Sequence, residues 1–224
     1  MLFDIANEVT SLGVQGVYLK VTGLKNRQRD DNFDDYANLI IKEKLSDFSY
    51  QKLESDPILR GFHDLHNLVG RKGKKNTSSP ENLLSILLQT GKMPKVNLLV
   101  DIYNIVSIQT HLALGAHDTT FIEGDVHLRL TNGNEKFWPL GYSKPKVVEA
   151  GEYAYIDDAD DIICRLEVRQ VEKTKVSLDS HECFYIIQGN KLTDINHLKY
   201  GMEYLLSLTK EYCGGKEEIL YAPW

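Results

Sequence analysis

The run VDIYNIVSIQTHLALGAHD at 100–118 carries polar side chains at both ends of an apolar segment. Asp101 and Asn104 lie near its start, and Gly115, His117 and Asp118 lie near its end, where we expect a polar turn. A helix that only fills a core needs no such groups. They either cap backbone N–H and C=O groups or face a bound molecule, which carboxylate, amide and imidazole groups hold by hydrogen bonds.

Two other groups of residues have the types of metal ligands. His63 and His66 are three positions apart and can share a helix face, but no third ligand is nearby. The sequence DDADD at 157–161 lacks the spacing and the glycine of a calcium loop. We therefore expect no metal and no cofactor. The histidines are expected to lie at the surface or half buried, and DDADD to form a solvated turn between strands.

The segment GRKGKKNTSS at 70–79 is a predicted basic loop without helical or strand periodicity. Its cations are Arg71, Lys72, Lys74 and Lys75. Together they can hold the phosphates of an RNA, or they can be solvated on the surface of an acidic protein. The formal net charge of −6 argues against a broad surface that coats nucleic acid, but it allows a small basic patch.

The composition is that of a globular protein, with 42% hydrophobic and 26% charged residues in a chain of 224. No apolar run reaches the ~18 residues of a membrane helix, and the first residues lack the basic region of a signal peptide. The three cysteines, Cys164, Cys183 and Cys213, have no close pair spacing. These features predict a cytoplasmic, disulfide-free protein that does not enter a membrane.

In the first half of the chain, residues 13–24 have the pattern of a strand, and 33–53 have apolar residues at helical spacing. Pro57 and Gly61 predict a break before the sequence FHDLHNLV. The segment SPENLLSILLQTG has a full set of helix signals, with Ser79 as the N-cap, Pro80 in the first turn and Gly91 as the stop.

Downstream of residue 125 the period changes to that of strands. Asn132-Gly133 predicts a hairpin turn, and the sequence from 152 to 189 reads as further strands separated by polar turns. The segment DINHLKYGMEYLLSLTKEYCGG closes the chain as an amphipathic helix. Helices that flank a block of consecutive strands predict an α+β fold. We expect one domain over 1–224, with 1–60 as an N-terminal strand and helical preface.

The sequence PKVNLLVDIYNIVSIQTHLALGAHD, followed by EGDVHLRL, GEYAYIDD and VEKTKVSLDS, resembles the B3/B4 domain of the bacterial phenylalanyl-tRNA synthetase β subunit. It is more similar still to free-standing proteins built from that domain alone. The resemblance covers most of residues 90–210. The positions that match the motifs of the family are Val100, Asp101, Asn104, Asp118, Glu172 and Val176.

This resemblance implies a three-layer α+β fold, the B3/B4 fold, in which helices flank a β-sandwich of unusual topology. It also implies a site that hydrolyses a mischarged aminoacyl-tRNA in trans. By motif alignment, Glu172 reads the side chain of the wrong amino acid. Asn104 and the segment from Gly115 to Asp118 border that site. A buried carboxylate discriminates well, because a substrate without the matching hydroxyl leaves it unsatisfied.

Two functions remain open. In the first, a hydrolase, Arg165 or Arg169 holds the terminal phosphate or the oxyanion, and His117 is the candidate for orienting water. In the second, the protein binds tRNA or a partner protein without catalysis. The family has a histidine where this chain has Gly115, and a glycine-rich strand where 165–171 carries bulky and charged residues, which favours the second function. The preserved motifs at the edge of the site favour the first, which we prefer. The expected partner of the first is tRNA or aminoacyl-tRNA.

Overall fold

The computed structural model describes residues 1–71 and 76–224. Within these ranges the chain forms two β-sheets and seven α-helices, arranged so that one sheet packs against the other and helices cover the outer face of one of them. The predicted α+β fold is confirmed. The strands are β1 Phe3–Ile5, β2 Gln15–Thr22, β3 Ala113–Asp118, β4 Val126–Leu130, β5 Tyr153–Asp157, β6 Ile162–Arg165, β7 Arg169–Gln170, β8 Glu182–Gly189 and β9 Lys216–Tyr221.

The strands form a five-stranded sheet of order β1-β4-β5-β6-β7 and a four-stranded sheet of order β3-β8-β2-β9. All pairs are antiparallel except the parallel pair of β1 and β4. The helices are α1 Asn7–Ser11, α2 Asp31–Asp47, α3 Tyr50–Ser55, α4 Pro57–Leu68, α5 Ser79–Thr90, α6 Leu98–Thr110 and α7 Ile195–Cys213.

Side-chain caps fix where several helices begin. The Asp30 carboxylate accepts from the Phe33 N–H at the start of α2, and the Asn97 side chain accepts from the Val100 N–H at the start of α6. Helix α5 ends at Gly91, whose φ of 70° is the left-handed conformation predicted for its stop signal. Helices α5 and α6 both contact strand β3 of the four-stranded sheet.

Two helical predictions need correction. The periodic segment 33–53 is two helices, α2 and α3, separated near Phe48. Pro57 and Gly61 do not break the chain, because Pro57 occupies the first turn of α4, where its missing N–H costs nothing, and Gly61 lies inside that helix. A Cβ on Gly61 would lie 2.0 Å from the side-chain oxygen of Asn190, so glycine is needed here for close packing and not for a turn.

Three predictions in the strand regions also differ from the structure. Gly115 to Asp118 form the end of strand β3 and not a turn. All six residues of β3 are buried, so the strand lacks the alternation that marks a half-exposed strand. Asn132-Gly133 does not close a hairpin, since 131–152 separates β4 from β5. The chain ends in strand β9, after the helix predicted to close it.

The three cysteines are buried free thiols in different elements: Cys164 on β6, Cys183 on β8 and Cys213 at the end of α7. Within residues 1–71 and 76–224, no helix combines the length and the apolar character that crossing a membrane requires. In the DDADD sequence, residues 158–160 form the predicted turn between β5 and β6, whereas Asp157 is the buried last residue of β5 and not part of a solvated turn.

Candidate functional site

A cavity of about 320 Å³ opens where strand β3, helix α6 and the N-terminal end of α5 meet the segment that joins β6 to β7. Its wall is partly apolar, and its polar groups come from four different elements. The residues that contribute polar side chains are Thr77, Ser79, Asn82, Tyr103, Asn104, Cys164, Glu167, Arg169 and Gln170.

Three predicted site residues line this cavity: Asn104, Gly115 and Arg169. The structure therefore brings together the first half of β3, the middle of α6 and strand β7. Gly115 leaves room for a side chain from across the cavity, because a Cβ at this position would lie 2.6 Å from the Gln170 amide nitrogen. A glutamine amide thus occupies the space that a side chain at 115 would need.

Glu167 is the most constrained polar residue of the cavity, with only 5% of its surface exposed. One carboxylate oxygen lies 2.5 Å from the His66 Nε2. The other accepts hydrogen bonds from the Tyr153 hydroxyl and, at 3.3 Å, from the Gln188 amide. Both oxygens are therefore held by the protein itself, and the carboxylate has a fixed orientation.

The hydrogen bonds continue from Gln188 into the layer between the sheets. The Tyr155 hydroxyl donates to the Gln188 Oε1 at 2.5 Å, and the Tyr155 and Tyr18 hydroxyl oxygens are 3.3 Å apart. Burial raises the pKa of the Tyr155 phenol, so it stays protonated and able to donate. We call the series His66, Glu167, Tyr153, Gln188, Tyr155 and Tyr18 the buried polar chain.

The Glu167 carboxylate favours the charged form of the buried His66 imidazole. Burial alone would lower the pKa of His66, but the adjacent Glu167 carboxylate and its hydrogen bond raise it above the usual value. The two side chains form a buried histidine–carboxylate pair behind the cavity wall. The other histidine of the predicted pair, His63, lies 2.7 Å from the Glu81 carboxylate and is largely exposed.

His117 and Asp118 lie outside the lining of this cavity. The His117 Nδ1 is 2.8 Å from the Thr174 hydroxyl, and its Nε2 has no partner among the described residues. Burial lowers the pKa of His117 to about 3, so the ring is neutral near pH 7. The Asp118 carboxylate accepts from the Thr120 N–H at 2.9 Å and from the Ser180 hydroxyl at 2.5 Å. It caps the short 3-10 helix Thr119–Phe121.

Two predicted cations are held by one buried carboxylate. Arg165 and Arg71 both pair with Glu152, whose side chain is 2% exposed, and Arg71 also pairs with Glu149 at 2.6 Å. Arg165 does not line the cavity, and its guanidinium is committed to this pair. The other residues of the predicted RNA-binding loop, Lys72, Lys74 and Lys75, lie outside the described residues.

Glu172 is half exposed and lies outside the cavity lining. It pairs with Lys175, and this ion pair lowers the pKa of its carboxylate. Its backbone N–H donates to the Trp138 carbonyl at 3.1 Å, so it adjoins the loop that follows β4. The role assigned to Glu172 by motif alignment stays a prediction, as does that of His117.

Asn104 also lines a second cavity, of about 350 Å³, between α2 and α6. Asp101, one turn before Asn104 on α6, also lines this second cavity. It accepts from the Val96 N–H at 2.8 Å and from Arg29 at 3.2 Å. Burial raises the pKa of Asp101. Asp101 therefore ties the start of α6 to its flanking segments, while the Asn104 amide has no hydrogen-bond partner among the described residues.

Sequence reasoning missed Glu167, Gln170 and Gln188 as parts of the site. The partners of Glu167 come from positions 66, 153 and 188, on a helix and two different sheets. No short spacing rule connects such positions. The available signal was a glutamate in the midst of apolar residues in the strand-forming stretch 162–171.

A comparison with protein families matches residues 64–214 to the model described as "B3/4 domain". A solved structure of an N-terminal fragment of the phenylalanyl-tRNA synthetase beta-subunit from Pyrococcus horikoshii is similar, with a TM-score of 0.52 and 14% identity. That similarity covers 96% of this chain and 50% of that chain, so this protein spans about half the length of the fragment. At this identity the likeness concerns the fold. No curated protein matches.

Proposed function

The chain belongs to the B3/4 domain family, and from this premise we propose that its 320 Å³ cavity binds the aminoacyl end of a tRNA. We propose further that the protein hydrolyses the ester of a mischarged aminoacyl-tRNA in trans. The observation that carries the proposal is the composition of the cavity wall, which joins an apolar face to a free amide, a cation and a helix N-terminus.

The size and lining of the cavity suit an amino-acid side chain and the ester beside it. Its volume is at the lower end of the range of about 300–1,000 Å³ for small-molecule sites. Leu83, Leu114 and Ile186 supply apolar surface, and Asn104 and Gln170 supply amides. An apolar wall with a few fixed polar groups is the usual construction of a site that selects one small ligand.

Ester hydrolysis requires an oriented water molecule and stabilisation of the negative charge that develops on the carbonyl oxygen. The amide of Asn104 can hold such a water or the substrate's α-amino group. Arg169 lies at the cavity edge, and helix α5 begins there with Ser79. Both present positive potential, which stabilises an oxyanion or the terminal phosphate of the tRNA. No protein nucleophile is required.

The second candidate function is binding without catalysis. It is favoured by the state of the titratable groups, because both Glu167 oxygens are engaged internally and His117 is sealed from the cavity. Among the described residues that line the cavity, Glu167 is the only carboxylate, and the Cys164 thiol donates to the Leu166 carbonyl. Burial raises the pKa of this thiol, which makes it a poor nucleophile.

The deciding experiment incubates the purified protein with a panel of labelled mischarged tRNAs and measures ester loss over the uncatalysed rate, with binding measured in parallel. Asn104→Ala is expected to lower the rate by about tenfold, the equivalent of one lost hydrogen bond. Asn38→Ala removes an exposed amide from the second cavity and is the matched control. Binding without ester loss for any substrate would establish the second function.

The same assay tests the roles assigned to Glu172 and the basic loop. If the Glu172 carboxylate contacts the substrate, Glu172→Ala changes the ratio of the hydrolysis rates of two aminoacyl-tRNAs that differ by one polar group. If it does not, the ratio stays that of the wild type. For the loop, Lys72→Ala, Lys74→Ala and Lys75→Ala are combined, and Arg71 is kept because it pairs with Glu152. If these lysines contact phosphates, the triple variant weakens tRNA binding and flattens its salt dependence.

A further inference from the structure

The loop between β4 and β5 exposes two aromatic residues beside cations. Trp138 and Tyr142 are 48% and 45% exposed, and Lys144 and Lys146 follow them on the exposed surface. Arg169, at the start of β7, completes the group from the neighbouring sheet edge. We call Trp138, Tyr142, Lys144, Lys146 and Arg169 the aromatic-basic strip.

The rings and cations of the strip are held in place by contacts within it. The Trp138 indole N–H donates to the Tyr142 carbonyl at 2.7 Å, so its polar atom is satisfied and the ring presents apolar surface to solvent. The Lys146 ammonium lies 5.1 Å from the centre of the Tyr142 ring, and the Arg169 guanidinium lies 5.9 Å from it. Such cation–π contacts order long side chains without neutralising their charge.

The strip keeps its positive charge in a protein with a net charge of −6. Within residues 1–71 and 76–224, Lys144, Lys146 and Arg169 form no ion pair with a carboxylate. The acidic neighbours are already engaged, because Glu149 pairs with Arg71 and Glu172 pairs with Lys175. The uncompensated charge is therefore available to an anionic partner.

The strip lies at the mouth of the cavity. Arg169 and Leu140 both line the cavity wall. The Leu140 N–H donates to the Gln170 carbonyl at 2.9 Å, and the Glu172 N–H donates to the Trp138 carbonyl at 3.1 Å. These bonds fix the loop segment 138–140 against the strand that carries the cavity residues. A chain bound along the strip would thus reach the cavity at Arg169.

We propose that the aromatic-basic strip binds a single-stranded RNA end, with a base stacked on Trp138 and phosphates held by Lys144, Lys146 and Arg169. Exposed aromatic faces beside unpaired cations are the combination that holds single strands, because every base offers a ring face and every nucleotide a phosphate. The entry of the bound strand into the cavity rests on the proposed function. The binding of single-stranded RNA to the strip is independent of that function.

Among anionic partners, a single strand fits better than an anionic membrane surface. The cations come from two segments of the chain, the loop after β4 and strand β7, and Lys146 and Arg169 meet at the Tyr142 ring. The 45% exposed Tyr142 ring is therefore accompanied by charge and does not present a purely apolar face to lipid. A duplex would offer phosphates but no free base to stack on Trp138.

The test measures binding of a fluorescent single-stranded RNA of about ten nucleotides, and of the same sequence as a duplex, by anisotropy over a salt series. Trp138→Ala is expected to weaken single-strand affinity by about five- to a hundredfold, since one base–aromatic stack is worth ~1–3 kcal/mol. Trp138→Phe keeps a ring and should retain most of the affinity. The double variant Lys144→Ala and Lys146→Ala should make the slope of log affinity against log salt concentration shallower by about 0.7 for each lost phosphate contact.

The matched control combines Tyr50→Ala and Lys42→Ala, an exposed aromatic and an exposed cation elsewhere on the surface, and should bind as the wild type does. Equal affinity for single strand and duplex, unchanged affinity in Trp138→Ala, or Trp138-dependent binding to phosphatidylserine vesicles without RNA binding would overturn the proposal. RNA binding that depends on the strip, with no ester hydrolysis, would overturn the hydrolase and leave the strip standing. Ester hydrolysis together with RNA binding that the strip variants do not change would overturn the strip and leave the hydrolase standing.

Discussion

The two buried layers of this protein differ in chemistry. The layer between the helices and the four-stranded sheet is built largely from aliphatic residues such as Leu99, Ile108 and Leu205. The layer between the two sheets instead contains the buried rings of Tyr18 and Phe184 and the polar chain that begins at His66. The first layer is mainly apolar. The second holds polar groups in fixed positions beside the cavity.

The two layers differ in how strictly they limit the residues that can fill them. Aliphatic residues of similar volume can replace one another at modest cost, so the helix side tolerates repacking. A buried polar chain is stable only when every member has its partner, because an unsatisfied group costs more than a lost contact. The sheet–sheet layer therefore has fewer acceptable sequences. Its residues Cys164, Glu167 and Ile186 line the cavity together with residues of α5 and α6.

The largest effect we expect comes from breaking the polar chain at its centre. Glu167→Ala leaves the His66 ring nitrogen, the Tyr153 hydroxyl and the Gln188 amide without their shared partner. Removing one partner of a buried ion pair typically lowers the free energy of unfolding by ~3–5 kcal/mol. Urea denaturation measures this loss. Glu167→Gln, which keeps the shape and one acceptor, should lose less, and equal losses would argue against the chain as a unit.

On the helix side, Leu205→Ala should lower the free energy of unfolding by ~2–5 kcal/mol, because it leaves a cavity in a close-packed core. Its effect on function should differ from that of Glu167→Ala. Ligand binding in the 320 Å³ cavity should be retained below the unfolding transition, since Leu205 does not line it. Loss of binding in the folded variant would show that the two layers are not separable.

The pairing of His66 with Glu167 gives the sheet–sheet layer a pH dependence. The pKa of His66 is raised in the folded state, so the stabilisation is fully present below the unfolded value of about 6.5 and is lost as pH rises through the raised folded pKa. The free energy of unfolding should thus fall above neutral pH. The fall should be smaller in His66→Gln. His127→Gln, which alters a partly exposed histidine between Asp4 and Asp158, should keep the contribution of His66.

The smallest change in the free energy of unfolding should come from removing one hydrogen-bond donor. Tyr153→Phe removes a single hydrogen bond to Glu167, while His66 and Gln188 continue to hold the carboxylate. We expect a loss of ~1 kcal/mol in the free energy of unfolding. A loss comparable with that of Glu167→Ala would mean that the phenol, and not the carboxylate, organises the chain.

Local signals in the sequence were sufficient for much of the fold. Pro80 and Gly91 predict the limits of α5 to within a residue, and the α+β arrangement follows from the grouping of strands. Strand β3 was missed because it is buried on both faces and has no alternation to reveal it. Strand β9, Lys216–Tyr221, was missed because it is short, partly polar and at a sheet edge.

The candidate site was harder to predict for a different reason. Asn104, Gly115 and Arg169 were found through a resemblance to a family, and they share a cavity wall. Glu167 was not singled out, because its partners lie up to 101 positions away along the chain. Local patterns report the elements that a residue belongs to. They do not report which elements meet, and a site between layers depends on that.

Because the three free thiols are buried in different elements, the reactivity of each thiol measures how often its region opens to solvent. Cys164 lies in the sheet–sheet layer, while Cys183 and Cys213 belong to the helix-side core. A thiol reagent can modify each one only when its surroundings open, so the three labelling rates give three separate opening free energies without any substitution. Mass spectrometry of the labelled peptides would then rank the two layers by how often each one opens to solvent.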